Sequence, residues 1–132
     1  MNRTSYVRRG IGLLVGCAPV VLLVASQVSA VTREYPIGLA VMLVAIVIAA
    51  LNFYLSSVRG LLYRRAKGSL DNYTHVSGLP MIGTLVVVAG AVLAFGSALC
   101  AGLGLLAIGL DTGGSVWFLI ATWKDTSLWD RA

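Results

Sequence analysis

From Met81 to Leu110 the chain runs for thirty residues without one charged side chain. As a single helix this run would be about 45 Å long. Fitting that into a hydrocarbon core of about 30 Å would need a tilt of about 50°, beyond the usual range for a membrane helix. The run is therefore expected to fold back on itself. The weakest helix-forming stretch within it is `FGSALCAGLG`, Phe95 to Gly104, and the turn is placed there. This divides the C-terminal half into a third span at about 80–97 and a fourth at about 100–123, the last ending at an interfacial pair, Trp123 and Lys124.

Two further apolar segments precede them. `IGLLVGCAPVVLLVASQVSA` reads as a first span, about 11–30, and `IGLAVMLVAIVIAALNFYL` as a second, about 37–55. Between the second and third lies a basic loop, 56–79, with Arg59, Arg64, Arg65 and Lys67 against the single acid Asp71. Short loops rich in Lys and Arg stay in the cytoplasm. The loop and the N-terminus, with Arg3, Arg8 and Arg9, are thus expected to be cytoplasmic, as is the C-terminus if there are four spans. The link at 31–36, where Arg33 and Glu34 cancel, is expected on the far side. An alternative has three spans, with the chain emerging at Asp111 and `VWFLIATW` forming an interfacial or re-entrant helix.

With 58% hydrophobic and 11% charged residues, there is too little polar surface for a soluble globule, which usually carries about 25% charged residues. The expected fold is a single all-α membrane domain covering 1–132. A net charge of +5 could suggest nucleic acid, but the bases flank apolar stretches, so the partner they imply is the bilayer, with those on the loop setting topology or meeting lipid headgroups. The basic start and `VSA` at Val28–Ala30 fit a signal peptide, but the apolar stretch is longer than a signal core, and an uncleaved first span is expected. Cys17 and Cys100 fall at different depths in this layout and are expected to be unbonded.

Helices associate in lipid through small residues that let backbones approach closely. Candidate packing positions are Gly12 and Gly16, continued by Pro19, Leu23 and Gln27 in the first span, then Ala45, Ala49 and Asn52 in the second, and Gly83, Gly90 and Ala94 in the third. Gly109 and Gly113 are four apart in the last. Gln27 and Asn52 are expected near span ends, where water or a neighbouring carbonyl can satisfy them.

The motif `LDTGGS` interrupts the last span. An aspartic protease needs two carboxylates sharing a proton, and no second acid lies in any span. His75, alone in the basic loop, has no ligand neighbours for zinc, and no nucleophile, base and orienter can be assembled from the spans. A non-enzymatic protein without cofactor or metal is expected. Asp111, Thr112, Gly113 and Gly114 remain the candidate intramembrane polar site, read either as a helix break at a transport site or as a cap. In the cap reading, Asp111 or Thr112 accepts from the first amides of a helix starting near Ser115, and Gly113 ends the helix before it.

The size and layout are similar to those of small four-span bacterial inner-membrane proteins, among them immunity proteins against membrane-targeting toxins and accessory subunits of larger complexes. The small multidrug transporters differ, since they carry a glutamate in the first span where this chain has no acid. The expected function is binding of another membrane component in the inner membrane, through a protein partner or self-association. The alternative is a small channel or transporter subunit built on Asp111.

Overall fold

The computed structural model describes residues 3–31, 35–69, 71, 73–74 and 78–129. Residues 32–34 of the link, which include its cancelling charges, lie outside the described residues, as do His75 and the tail beyond Trp129. Among the described residues every regular element is helical: α1 is Arg3–Val28 and α2 is Pro36–Phe53, followed by a π turn at Tyr54–Val58 and α3 at Arg59–Lys67. Beyond them come α4 at Ile82–Leu93, α5 at Ala98–Leu110, α6 at Ser115–Thr122 and α7 at Thr126–Trp129.

Three helical stretches are long and apolar enough to cross a membrane: Ser5–Val28, Pro36–Lys67 and Ala98–Thr122. The helix between the last two differs from the expected span at 80–97. α4 has only 12 residues, or about 18 Å. It begins after a left-handed Met81 at φ 64° and ends at a turn over Ala94–Gly96, where Gly96 takes φ 88°. That turn falls at the start of the glycine-rich stretch expected to reverse the chain.

The segment expected to be a loop from residue 56 is instead helical as far as Lys67, continuing α2 through the π turn as one stretch of 32 residues. Charge ends an apolar span but not a helix. Leu, Arg, Ala and Lys are all good helix formers, and Arg64, Arg65 and Lys67 occupy the last turn, where cations complement the helix dipole. Termination waits for Gly68, at φ 77°, whose amide donates to Arg64 O at 2.9 Å.

The helices meet through small residues. A Cβ on Gly38 would strike Ala94, one on Gly90 would lie 3.1 Å from Met42, and one on Gly104 would lie 2.5 Å from Leu23. These contacts make α2 antiparallel to α4 and α1 antiparallel to α5. Leu23, Met42, Ala45, Ala49, Val87, Ala91 and Cys100 fill the space between them. Ala45, Ala49, Gly83, Gly90 and Ala94 are buried. Gly16 and Pro19 are buried too, whereas Gln27 is exposed and Gly109 faces open space. Both cysteines are free.

At the end of the bundle where α4 turns into α5, Gly96 N donates to Ser26 Oγ at 2.9 Å and Val31 N donates to Gly96 O at 2.8 Å. Ser97 Oγ caps α5 by accepting from Cys100 N at 3.3 Å. At the opposite end α7 folds back so that the Trp129 ring covers Gly12. Its indole Nε1 donates to Thr122 O at 2.6 Å, and Arg9 Nη1 donates to Trp123 O at 3.3 Å.

Candidate polar site at the helix break

Two irregular segments meet at mid-length of the bundle, 78–81 leading into α4 and 111–114 joining α5 to α6. Exposed polar backbone is costly in apolar surroundings, so such segments persist only where other groups satisfy them. Asn52 supplies that here. It stands sixteen residues from Pro36 and fifteen from Lys67 within one continuous helix, and it is 1% exposed. Its Oδ1 accepts from Leu79 N at 2.8 Å, and its Nδ2 donates to Leu79 O at 3.1 Å and to Asp111 Oδ1 at 2.6 Å. The carboxamide therefore pairs with a peptide group as a neighbouring strand would, while holding the acid with the same amide group.

Asn52 was expected near a span end, satisfied by water or a neighbouring carbonyl; a carbonyl, Leu79 O, does accept from it, but the residue lies well inside the helix rather than near its end. The apolar segment ends soon after Asn52, but the helix does not, and the chain at 78–81 returns to it.

The second irregular segment is tied down by its own side chains. Thr112 Oγ1 donates to Asn52 O at 3.2 Å and lies 2.8 Å from Ser56 Oγ. Ser56 belongs to the π turn, where Arg59 N reaches back to Tyr54 O; the extra residue in such a turn re-aims the helix surface, a device frequent at functional sites. Gly113 O accepts from Met81 N at 2.9 Å, joining the two breaks directly.

The cap reading of the motif is also corrected. α5 ends at Leu110, with Asp111 as its C-cap rather than at Gly113. The residue before α6 is Gly114, with no side-chain cap bond. The first amide of α6, Ser115 N, donates to Thr84 Oγ1 at 3.1 Å, so the capping oxygen comes from α4. Asp111 contributes only its main-chain carbonyl to this turn, accepting from Gly114 N at 2.8 Å. Its side chain is already committed to Asn52.

The Asp111 carboxyl is 1% exposed, and its Oδ2 is buried with no hydrogen-bond partner. That oxygen is packed against glycine. A Cβ on Gly83 would collide with it and one on Gly114 would lie 2.8 Å away. Gly83 was expected to be a helix-packing position; it also forms the wall of the carboxyl pocket. Because Gly83 lies in the first turn of α4, the acid stands at the positive end of that helix, where the first amides have no intrahelical acceptor.

All four candidate residues Asp111 to Gly114 are thus brought to one place. Asn52, Leu79, Thr84, Ser56 and Ser115 join them, and of these only Asn52 stands out in the sequence. Among the described residues no group of three or more His, Cys, Asp or Glu could hold a metal ion. Arg59, whose amide closes the π turn, faces the Tyr73 ring at 5.7 Å, and Arg64, Arg65 and Lys67 follow it at the C-terminal end of the long helix.

In comparisons with known proteins, no family model, no curated protein and no solved structure matches this chain.

Proposed function

We propose that the chain is a four-pass inner-membrane bundle, with its basic end cytoplasmic, that acts by binding another membrane component on its outer surface. α1, the α2–α3 helix, α4 and the α5–α6 pair are the four passes. The short α4 is long enough for its pass because the chain at 78–81 enters at mid-length and is satisfied there by Asn52.

The observation that carries the binding role is the filled interior. From the level of Asp111 to the Ser26–Gly96 end, the space between helices holds Leu23, Met42, Ala45, Ala49, Val87 and Ala91. A polar solute would have no hydrated path past these side chains, so the working surface is the outer one. Large apolar residues there, including Leu14, Val21, Val47, Leu85 and Ile120, are exposed and suit lipid or a helix of another protein. Toxin immunity and an accessory-subunit role both fit this mode of action.

The unpartnered Asp111 Oδ2, set between two broken helices, favours a second reading. Buried acids at helix breaks mark ion and proton pathways in transporters. The two readings separate in proteoliposomes. On the binding reading the wild-type chain supports no ion or proton flux. On the transport reading flux occurs and Asp111→Asn removes it. Photo-crosslinkers at Leu14, Val47 and Leu85 test the first reading in cells: a discrete heteromeric or homomeric adduct is expected, and lipid-only adducts at every position would sink it. A reporter fused after Ala132 should be active on the cytoplasmic side.

A further inference from the structure

Because α4 starts only at mid-length, no helix among the described residues continues it beside α1 and α6 in the basic half of the bundle. A cavity of about 260 Å³ opens there, lined by Gly12, Val15, Gly16, Ser115, Phe118 and Trp129 among others. Gly16 and Ser115 form its buried floor, where Ser115 Oγ donates to Gly16 O at 3.3 Å. Its rims are Val15 and Phe118, 57% and 53% exposed, so it opens sideways, across the apolar flank of the bundle. Trp129 closes the end toward the basic residues by lying on Gly12.

Three cations lie on the segments that form that closed end, the start of α1 and the link between α6 and α7. Arg8 lies one turn from Gly12 on the same face of α1. Arg9 bonds Trp123 O and stacks at 5.4 Å on the Trp123 ring. Lys124, exposed, follows Trp123.

We infer that this groove binds one anionic phospholipid of the cytoplasmic leaflet, with an acyl chain between Val15 and Phe118 and its phosphate among Arg8, Arg9 and Lys124. This rests on the membrane reading above and adds a lipid site distinct from the protein-binding surface proposed there. A sideways opening in an apolar band admits hydrocarbon rather than a solute from water. The cavity is near the lower limit of small-molecule pockets, roughly 300 Å³, which suits part of an acyl chain rather than a rigid multi-ring ligand. The cations supply the charge preference, since each base near an anionic surface contributes attraction.

The test uses the full chain in non-ionic detergent, with Trp117→Phe and Trp123→Phe leaving Trp129 as the reporter. The probe is phosphatidylglycerol brominated on one acyl chain. Saturable quenching at one lipid per chain is expected. Val15→Phe, which narrows an exposed rim and leaves the core untouched, should weaken binding at least tenfold. Arg8→Gln with Lys124→Gln should bring phosphatidylglycerol down to the affinity of brominated phosphatidylcholine.

Quenching that rises without saturation, or is unchanged by Val15→Phe, would overturn the inference, as would a chain dimer that protects Trp129 in place of lipid. Alkaline carbonate extraction separates the two levels of failure. A chain released by carbonate is not an integral membrane protein, whereas a chain that resists extraction yet binds no lipid refutes the groove alone.

Discussion

Asn52 and Asp111, 59 residues apart in sequence, share a hydrogen bond of 2.6 Å at mid-length of the bundle, and the amide that makes it also holds the peptide group of Leu79. One carboxamide thereby ties together the two places where the chain leaves helical geometry.

Replacing Asn52 by Leu keeps the branched outline of the side chain, with bulkier methyl groups, and removes all three bonds. Side-chain hydrogen bonds within membrane bundles contribute about 0.6 kcal/mol on average and up to about 1.7, so the expected loss is roughly 2–5 kcal/mol. Unfolding of the micelle-bound protein in SDS measures it. A loss below about 1 kcal/mol would mean that the irregular segments are held by packing alone.

At Asp111 the outcome depends on what replaces it. Asn retains an oxygen for Asn52 Nδ2 and, on the membrane reading, removes the cost of burying an acid at a helix break, for which the figure found at helix centre on insertion scales, about 2.5–3.5 kcal/mol, is the upper guide. Asp111→Asn is therefore expected to be as stable as the parent or more so, and Asp111→Ala less stable. An acid kept at a stability cost would point to a role that the amide cannot fill. If Asp111→Asn is instead strongly destabilising in the same unfolding assay, the acid belongs to the scaffold.

The glycines divide sharply. Gly83→Ala would drive a methyl into the Asp111 carboxyl, and the neighbouring α4 backbone is held at Met81 and Thr84. A loss of about 1–3 kcal/mol is expected, as for other overpacked sites. At Gly102 and Gly10 an added methyl would meet nothing within 4 Å. Alanine there should be neutral or stabilising by about 0.5–1 kcal/mol, because glycine is the weaker helix former. Equal effects at Gly83 and Gly102 in thermal unfolding would contradict the geometry.

Gly12→Val tests the fold-back of α7. The added side chain occupies the place of the Trp129 ring, which must swing out and lose its bond to Thr122 O. With Trp129 as the sole tryptophan, its emission should shift to longer wavelength and become more accessible to aqueous quenchers. An unchanged spectrum would place Trp129 elsewhere than on Gly12.

Much of the architecture was legible in order and composition. The uncharged run of thirty residues was expected to turn within Phe95–Gly104, between spans ending at about 97 and starting at about 100, and it turns slightly earlier, over Ala94–Gly96. Small residues in register on the second and third spans mark buried faces because only they allow such close helix approach. The basic segment was misjudged for a physical reason: hydropathy reports where apolar surface ends, whereas helix termination waits for a backbone signal, here Gly68.

The candidate site was legible as residues but not as a structure. `LDTGGS` identified a break and a buried acid from local sequence, since Asp and paired Gly are unfavourable inside an apolar helix. Which groups satisfy that break depends on contacts 27 to 99 residues away: Leu79 to Asn52, Asp111 to Asn52, Ser115 to Thr84, and Ser115 to Gly16. Periodicity carries no information about such pairs. The order of the apolar segments determined that this chain forms a small helical bundle. Only the packed structure decided that Thr84 rather than Asp111 caps α6, and that Asp111 is held by Asn52 against Gly83, because hydrogen-bond partners are set by proximity in space once the helices have docked.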